Sequence, residues 1–556
     1  MGILAWFSQP AGDDRLALGR WIALSLMIGI VAGLGAVVLQ FGIDSMNGLT
    51  LNEIAGFGTP GLPSEGGRLA QTYLPWYRWW WFLLVPTLGG LVSGIVIYTW
   101  APEAEGHGTD AVIRAFHREG GYIRARVPIV KIVASAVTLG TGGSGGREGP
   151  IAQIGSGFGA WLATALRVSD YERRLMVLAG AAGGIGAIFR APLGGALVVC
   201  ELLYRNMEFE YDAVIPALLT SVVAYTVYAH FNGWSPMFQT SQYAYSEPRH
   251  LLVYLVLGIG VAALGWCYVK VFYGMRDHIF ARLPVPRHLR PAIGGLLTGL
   301  LGLAAPQAIG LGYGWLQLGM LGKLTLGDYL RGALGKIVAT AFTISSGGSG
   351  GVFGPAVVIG GFTGGAIGTY FARLLPGWHL HIESFILVGM AAFFGGAAKA
   401  PIGAILMISE MTTGYGLLVP LMLSTAVAVM LVPKWVSIYE EQVDGSINSP
   451  AHFDRYLRHA LRALSVGDSD AGRAARAHEM ALLKAEVSSG SPIIGKRVSE
   501  LHLGDAGLPL AIRRGQTTII PAADTTLAAG DRVVVLARPG RAEDVLAAFR
   551  GSSASP

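Results

Sequence analysis

The chain has 556 residues, of which 52% are hydrophobic and only 14% are charged. Soluble domains usually carry about 25% charged residues, so this composition excludes an ordinary soluble protein and requires lipid as the solvent. The formal net charge of +6 does not indicate nucleic acid, because the basic residues are scattered through loops and the tail, as membrane topology also produces. We therefore expect no nucleic-acid partner.

Apolar runs along the chain predict membrane-spanning helices. The N-terminal segment, residues 1–20, lacks the cleavage pattern of a secretory signal, so it is expected to be retained, in the cytoplasm. A spanning helix needs roughly 20 apolar residues. The clearest apolar runs near this length are Trp21 to Ile43, Trp79 to Trp100 and Leu251 to Phe272, of which only the last contains a charged residue, Lys270. Glycine, with 80 residues, is used at about twice the average frequency, which favours close helix packing and broken helices.

Two parts of the chain repeat each other around glycine-rich breaks. Lys131 to Pro150 reads KIVASAVTLGTGGSGGREGP, and Lys336 to Pro355 reads KIVATAFTISSGGSGGVFGP. A second pair follows, with APLGGALVVCE at Ala191 to Glu201 and APIGAILMISE at Ala400 to Glu410. Duplicated membrane halves with glycine-interrupted helices indicate a transport site near the bilayer midplane. We expect the two breaks to face each other there.

The glycine breaks are candidates for an anion site. A glycine-rich turn that leads into a helix presents unpaired N–H groups at the positive end of the helix dipole. The alternative is that the glycines only form a flexible loop or permit a tight helix crossing. Glu148 stands inside the first break, and an ionisable residue within a membrane is a functional candidate by default. Its alternative role is a simple helix N-terminal cap.

Enzymatic and metal chemistry have no motif in this sequence. A Walker loop needs Lys followed by Ser or Thr after its last glycine, whereas Arg147 and Glu148 stand there. The sequence has no HExxH, no GxSxG elbow and no cluster of Cys and His ligands. Cys200 and Cys267 lie in apolar runs and indicate neither a disulfide framework nor a metal site. We expect no enzymatic activity, no cofactor and no metal.

The breaks resemble signature motifs of the chloride channel (CLC) family of anion channels and chloride/proton antiporters. The matching segments are GSGGREGP at Gly143 to Pro150, GVFGP at Gly351 to Pro355 and, less regularly, GHGTDAV at Gly106 to Val112. The resemblance covers about residues 20 to 450. It implies an all-α polytopic membrane protein with an inverted repeat of two halves and broken helices. It also implies a homodimer that transports chloride.

The resemblance also implies roles for single residues. Glu148 matches the gating glutamate, whose carboxylate occupies an anion site when it is ionised. The implied anion-binding residues are His107, Gly146, Arg147, Gly149, Val352, Phe353 and Tyr439, with Val352 and Phe353 acting through their backbone amides. His107 replaces a serine of the family, and its ring alternatively packs away from the pathway. Tyr439 is alternatively a tyrosine of the membrane interface.

The choice between channel and exchanger depends on one position. Exchangers of the family use a second, internal glutamate for protons, and the resemblance places Leu202 there, just after Glu201. Passive channels of the family also have an apolar residue at this position. The sequence therefore predicts a passive chloride channel. A chloride/proton antiporter with Glu201 on its proton path is the alternative, and a non-conducting anion sensor is a third hypothesis from another class.

The sequence changes character after about Gly445. Residues 485–550 show short alternating runs such as RVVVL at 532–536, bounded by turns, and they resemble the TrkA-C or RCK-C domain, a small α/β module. The resemblance implies a cytoplasmic domain that dimerises and binds a small regulator, cyclic dinucleotides among them; a purely structural dimerisation role is the alternative. We expect a multi-pass protein of the cell membrane, here a bacterial inner membrane. The predicted domains are an N-terminal segment 1–20, a transmembrane domain 21–445 with repeats at 21–235 and 250–440, a linker 446–484 and the domain 485–550.

Overall fold

The computed structural model describes most of the chain. It covers residues 14–69, 78–241, 245–452, 481–487, 491, 493–501, 503, 507–515, 517–519, 521–537, 545 and 549. Most of the predicted N-terminal segment and most of the predicted linker lie outside these residues. The chain divides into two compact units, Met1–Asn448 and Ser449–Pro556, and each is described by itself.

The described residues in the first half of the larger unit form eight α-helices. They are α1 Asp14–Asn47, α2 Trp79–Trp100, α3 Thr109–His117, α4 Val127–Gly140, α5 Glu148–Ala165, α6 Asp170–Phe189, α7 Pro192–Glu201 and α8 Tyr211–Asn232. Local sequence explains several of their starts. Pro192 occupies the first position of α7, where a missing N–H costs nothing. Ser169 forms a capping box with Glu172 before α6.

The second half repeats the same order of long and short helices. Its members are α9 His250–Gly274, α10 Arg290–Ala304, α11 Tyr313–Met320, α12 Leu326–Ser345, α13 Phe353–Leu374, α14 Ile382–Ala398, α15 Pro401–Thr412 and α16 Leu418–Leu431. The two KIVA segments fall in α4 and α12, and the two glycine breaks precede α5 and α13. The all-α fold with two repeated halves and broken helices is confirmed.

Five helical segments of the described chain are long and apolar enough to cross a membrane. They are Gly19–Ala55, Trp79–Trp100, Tyr211–Asn232, His250–Phe280 and Phe353–Leu374. The three apolar runs predicted from the sequence all lie within this set. Large apolar side chains such as Phe41 and Met430 are exposed on the outer surface of the helices, as expected of a surface that lipid covers.

Helices α7 and α15 show that the two halves run in opposite directions. The carboxylate of Glu201, at the end of α7, accepts hydrogen bonds from the N–H groups of Ile402 (3.2 Å) and Gly403 (2.8 Å) in the first turn of α15. Glu410 near the end of α15 accepts the equivalent bonds from the first turn of α7, at 3.2 and 2.7 Å. Because each helix end meets the other helix's start, the pair is antiparallel.

The smaller unit contains a four-stranded antiparallel sheet with strand order β1-β4-β2-β3. The strands are β1 Ala481–Glu486, β2 Gly507–Arg514, β3 Thr517–Ile519 and β4 Arg532–Ala537. Val533 and Val535 of β4 enter the apolar core. The buried carboxylate of Asp531 accepts hydrogen bonds from Arg514 (2.8 and 2.9 Å) and from a backbone amide (2.7 Å). Burial opposes ionisation of this carboxyl, but the hydrogen bonds outweigh it and lower its pKa below the ordinary value.

Candidate anion pathway

The two glycine breaks meet at one point of the fold. The N–H of Gly146 donates to the carbonyl of Gly351 at 2.8 Å, and the N–H of Gly351 donates back at 2.5 Å. Helix α5 begins two residues after the first glycine, at Glu148, and α13 begins two residues after the second, at Phe353. The positive ends of two helix dipoles therefore converge here. The prediction that the breaks face each other is confirmed.

The Glu148 carboxylate lies where the N-termini of α5 and α13 meet, and it is fully buried. One of its oxygens accepts a hydrogen bond from the N–H of Gly354, in the first turn of α13, at 3.2 Å. The other accepts from the Tyr313 hydroxyl at the start of α11. The carboxylate belongs to the first half, whereas both donors belong to the second. It sits where a helix N-terminus offers backbone donors to an anion.

Close contacts explain why two of the predicted residues are glycines. A Cβ on Gly146 would lie 2.0 Å from a carboxylate oxygen of Glu148. A Cβ on Gly149 would lie 1.9 Å from the carbonyl oxygen of His107. A side chain at position 146 would have to displace the Glu148 carboxylate, and one at position 149 would have to displace the backbone of the segment before α3. The glycines thus allow the backbone of both breaks to approach the pathway closely.

The side chain of Arg147 is fully buried and paired. Its guanidinium donates to Gln40 on α1 and to both carboxylate oxygens of Glu65, one of them at 3.1 Å. Its Cζ lies 5.6 Å from the centre of the Tyr313 ring. The positive charge is therefore already balanced by Glu65, and Arg147 does not offer a free cation to an anion.

A polar vestibule lies beside Tyr313. This cavity of about 570 Å³ is lined in part by Asp44, Glu65, Arg68 and Tyr313. Tyr313 thus borders the vestibule and contacts Glu148 as well. Asp44 and Glu65 give the vestibule two carboxylates, which would repel an anion. The pairing of Glu65 with Arg147 reduces their combined negative charge.

The predicted residues of the third motif and of the last segment lie together. The rings of His107 and Tyr439 are 5.8 Å apart between centroids, and Phe272 lies 6.3 Å from His107. Nε2 of His107 is 3.1 Å from a carboxylate oxygen of Asp110. Nδ1 of His107 and the Tyr439 hydroxyl are buried without a well-aligned hydrogen-bonding partner in the described chain. Nδ1 of His107 is thus left for a ligand, whereas the Tyr439 hydroxyl also lies within reach of the Thr109 side chain.

Val352 and Phe353 are buried, and their side chains are occupied by packing. The Phe353 ring packs against Phe394 and Phe189, with centroids 3.7 and 4.9 Å away. The carbonyl of Val352 accepts a hydrogen bond from the Tyr268 hydroxyl at 3.1 Å. Since both side chains are packed against the protein, Val352 and Phe353 can offer an anion only their backbone amides.

Two buried lysines hold the turns before α3 and α11 in equivalent ways. Nζ of Lys131 donates to the carbonyls of Ala104 (2.9 Å) and Gly106 (2.7 Å). Nζ of Lys336 donates to the equivalent carbonyls of the second half, Ala308 and Gly310, at 3.4 and 2.5 Å. Each lysine is the first residue of a KIVA segment. The turn before Tyr313 in the second half is therefore equivalent to the turn at His107 in the first half.

Glu201 and Leu202 lie at the end of α7 and are both buried. Glu201 bonds the first turn of α15, as described above. The carbonyl of Leu202 accepts a hydrogen bond from Gln442 at 2.7 Å, and its side chain is apolar. The structure thus buries the carboxylate of Glu201 in the protein interior, one residue before the apolar Leu202.

Sequence reasoning missed Tyr313, Tyr268 and Glu65. All three donate to or pair with predicted residues, but they are far from them along the chain. Only Tyr313 had a usable signal. Comparison of the two halves aligns GHGTDAV at Gly106 to Val112 with the GLGYGWL segment that starts at Gly310, and this alignment singles out a second turn beside the pathway.

Comparison with known proteins identifies relatives of both units. The family described as voltage gated chloride channel matches residues 89–432, and the TrkA-C domain family matches residues 482–550. The H(+)/Cl(-) exchange transporter ClcA of Cronobacter sakazakii is 33% identical over 419 residues, which cover 74% of this chain and 86% of that protein. A ClcB-like chloride channel protein of Ralstonia nicotianae is 34% identical over 62% of this chain and 81% of its own. A solved slow cyanobacterial Cl−/H+ antiporter matches with a TM-score of 0.66 and 21% identity, over 74% of this chain and 94% of its own.

These findings correct the predicted passive channel. Several relatives, among them the ClcA proteins of Cronobacter sakazakii and Klebsiella pneumoniae at 33% and 32% identity, are named H(+)/Cl(-) exchange transporters. The passive-channel prediction from Leu202 is wrong. Its physical error was to treat one apolar side chain as a barrier to protons, although Leu202 excludes proton transfer only at its own position and Glu201 precedes it directly.

Proposed function

The chain belongs to the voltage-gated chloride channel family, and we propose that it exchanges chloride for protons across a cell membrane. One observation carries the proposal. The Glu148 carboxylate accepts a hydrogen bond from the Gly354 amide in the first turn of α13, and the N-terminus of a helix favours an anion. A carboxylate in that position competes with the transported anion and can also carry a proton.

Exchange follows from these two properties of Glu148. When ionised, the carboxylate accepts from Gly354 and Tyr313 and blocks the site. When protonated, it loses the charge that favours the helix N-terminus, and chloride replaces it. Chloride is then held by the backbone amides at Val352 and Phe353 and, at the other mouth, by the hydroxyl of Tyr439 and the turn at His107. Gly146 and Gly149 allow the backbone to approach, and Arg147 braces the first break.

The second proton site is assigned to Glu201. Its carboxylate is buried and accepts two backbone hydrogen bonds, and a buried carboxylate is a suitable proton carrier. Leu202 beside it contributes no proton chemistry. Water would bridge the path between Glu201 and Glu148.

Several features of the assembly belong to the same proposal. We propose a homodimer in a bacterial inner membrane, with the TrkA-C-like unit in the cytoplasm. That unit would bind a small cytoplasmic regulator, with cyclic dinucleotides as the first class to test. Differential scanning fluorimetry of the full chain with a panel of nucleotides should show a stabilising ligand. Chemical cross-linking in membranes should give a band at twice the mass of the chain.

The deciding experiment measures chloride efflux from liposomes that contain the purified chain, together with proton movement. A chloride gradient should drive protons against an imposed pH gradient at a fixed ratio. Glu148→Ala should leave chloride flux but remove the proton movement. Chloride flux that never moves protons would contradict exchange, and absence of flux would favour the anion sensor. Fluoride in place of chloride tests the anion preference in the same assay.

A further inference from the structure

We propose that the Tyr313 hydroxyl is a latch, a positioning residue that holds the ionised Glu148 carboxylate in the anion site. The latch sets how strongly the gate competes with the transported anion. The inference rests on the proposed role of Glu148 and adds to it a second residue, from the other half of the chain.

The contacts of the Glu148 carboxylate support the latch. Its two oxygens have separate donors, the Tyr313 hydroxyl on one and the Gly354 amide on the other. The amide is part of the backbone at the start of α13 and faces any anion in the site. The hydroxyl is a side-chain donor, so a substitution can remove it without changing the backbone donors. Hydrogen bonds to charged groups are roughly twice as strong as neutral ones.

The position of the tyrosine is fixed from several sides. Tyr313 is buried and is the first residue of α11. The turn before it is tied down by Lys336, and Gly312 in that turn has a φ of +90°, which a residue with a side chain rarely adopts. A Cβ on Gly314 would lie 1.9 Å from the carbonyl of Pro60, so α11 has no room to shift. The hydroxyl therefore meets Glu148 without further ordering.

Other buried tyrosines show what a purely structural hydroxyl does here. The hydroxyl of Tyr329 donates to the carbonyl of Gly319 at 3.0 Å, and that of Tyr268 donates to Val352 at 3.1 Å. Both satisfy backbone groups. Tyr204 donates to a carboxylate, that of Glu210 at 2.6 Å, so a buried tyrosine can also serve a structural acid. Tyr313 differs in its acceptor, because the Glu148 carboxylate lies between the two glycine breaks and also accepts from the first turn of α13.

The test is a double-mutant cycle on chloride affinity. Isothermal titration calorimetry gives the chloride Kd of the full chain, of Glu148→Ala, of Tyr313→Phe and of the double variant. For each residue at position 313, the chloride Kd of the chain with Glu148 is divided by the chloride Kd of the chain with the Glu148→Ala change. This ratio measures how strongly the Glu148 carboxylate competes with chloride. Direct contact of the hydroxyl with chloride cancels in this ratio, because both members of each pair share the same residue at position 313.

We expect Tyr313→Phe to lower this ratio about 10- to 100-fold, as loss of one hydrogen bond to a charged group would. Tyr329→Phe removes a buried hydroxyl elsewhere and should leave the ratio unchanged. If Tyr313→Phe does not fold, 3-fluorotyrosine at position 313 makes the hydroxyl a stronger donor with little change in packing and should raise the ratio. An unchanged ratio in the position-313 variants overturns the latch alone. A ratio near one in the unmodified chain overturns the gate assignment itself, so the two failures are distinguishable.

Discussion

Replacing Glu201 with glutamine removes a carboxylate that stabilises the start of a helix in the opposite half of the chain. Glu410 makes the equivalent contacts in the reverse direction, so Glu410→Gln is a matched control. Both carboxylates accept two first-turn amides at 2.7–3.2 Å. The proposal assigns proton transfer to Glu201 and only a structural role to Glu410.

The structural cost of each change follows from these contacts. Glutamine offers one acceptor oxygen and one NH₂ donor, so one amide of the first turn loses its acceptor. A hydrogen bond to a charged group contributes about 1.5–3 kcal/mol, and the helix dipole adds about 0.3–1 kcal/mol. Glu201 is fully buried, whereas Glu410 is only partly buried. We expect a loss of about 2–4 kcal/mol for Glu201→Gln and a smaller loss for Glu410→Gln, seen as lower unfolding temperatures in detergent.

The transport assay separates stability from function. Glu201→Gln should abolish proton movement in the liposome assay while chloride efflux continues. Glu410→Gln should keep the proton-to-chloride ratio of the unmodified chain. Equal loss of coupling in both variants would mean that helix packing, and not proton transfer, explains the effect. Retained coupling in Glu201→Gln would refute the proton path through this residue.

Three further predictions test other contacts. Gly149→Ala should reduce chloride flux strongly in the efflux assay, because its methyl group overlaps a backbone carbonyl; Gly19→Ala, which meets no atom within 4 Å, is the control. Glu65→Gln leaves the buried charge of Arg147 uncompensated, and we expect a loss of about 3–5 kcal/mol of stability, measured as a lower unfolding temperature. Asp531 has a folded pKa below its unfolded value of about 3.9. Its contribution to the free energy of unfolding is therefore fully present above the unfolded pKa and is lost as the pH falls through the folded pKa. Asp531→Asn should therefore destabilise the tail unit at pH 7 and weaken its acid dependence, as circular dichroism of the full chain at several pH values would show; an unchanged acid profile would contradict the pairing with Arg514.

The sequence predicted much of the fold because repeated motifs and hydropathy are local properties. The paired KIVA and GGSGG segments located both breaks, and the break around Glu148 indicated where an anion pathway would lie. The resemblance to a known family supplied the roles of Val352, Phe353 and Tyr439, which residue type alone does not reveal. The error at Leu202 arose because one apolar side chain was taken to decide the proton path, although a buried carboxylate, Glu201, directly precedes it.

What only the tertiary structure decided is which distant groups meet. The hydrogen bond from Tyr313 to Glu148 joins residues 165 positions apart, and that from Arg147 to Glu65 spans 82. The sequence contains both members of the Glu201 and Glu410 pair, but the antiparallel packing of α7 and α15 determines that each stabilises the other's start. Hydropathy and motif spacing place a helix in the membrane, whereas the direction and rotation of that helix fix the partners of its buried polar groups, because such groups must find hydrogen bonds inside the protein.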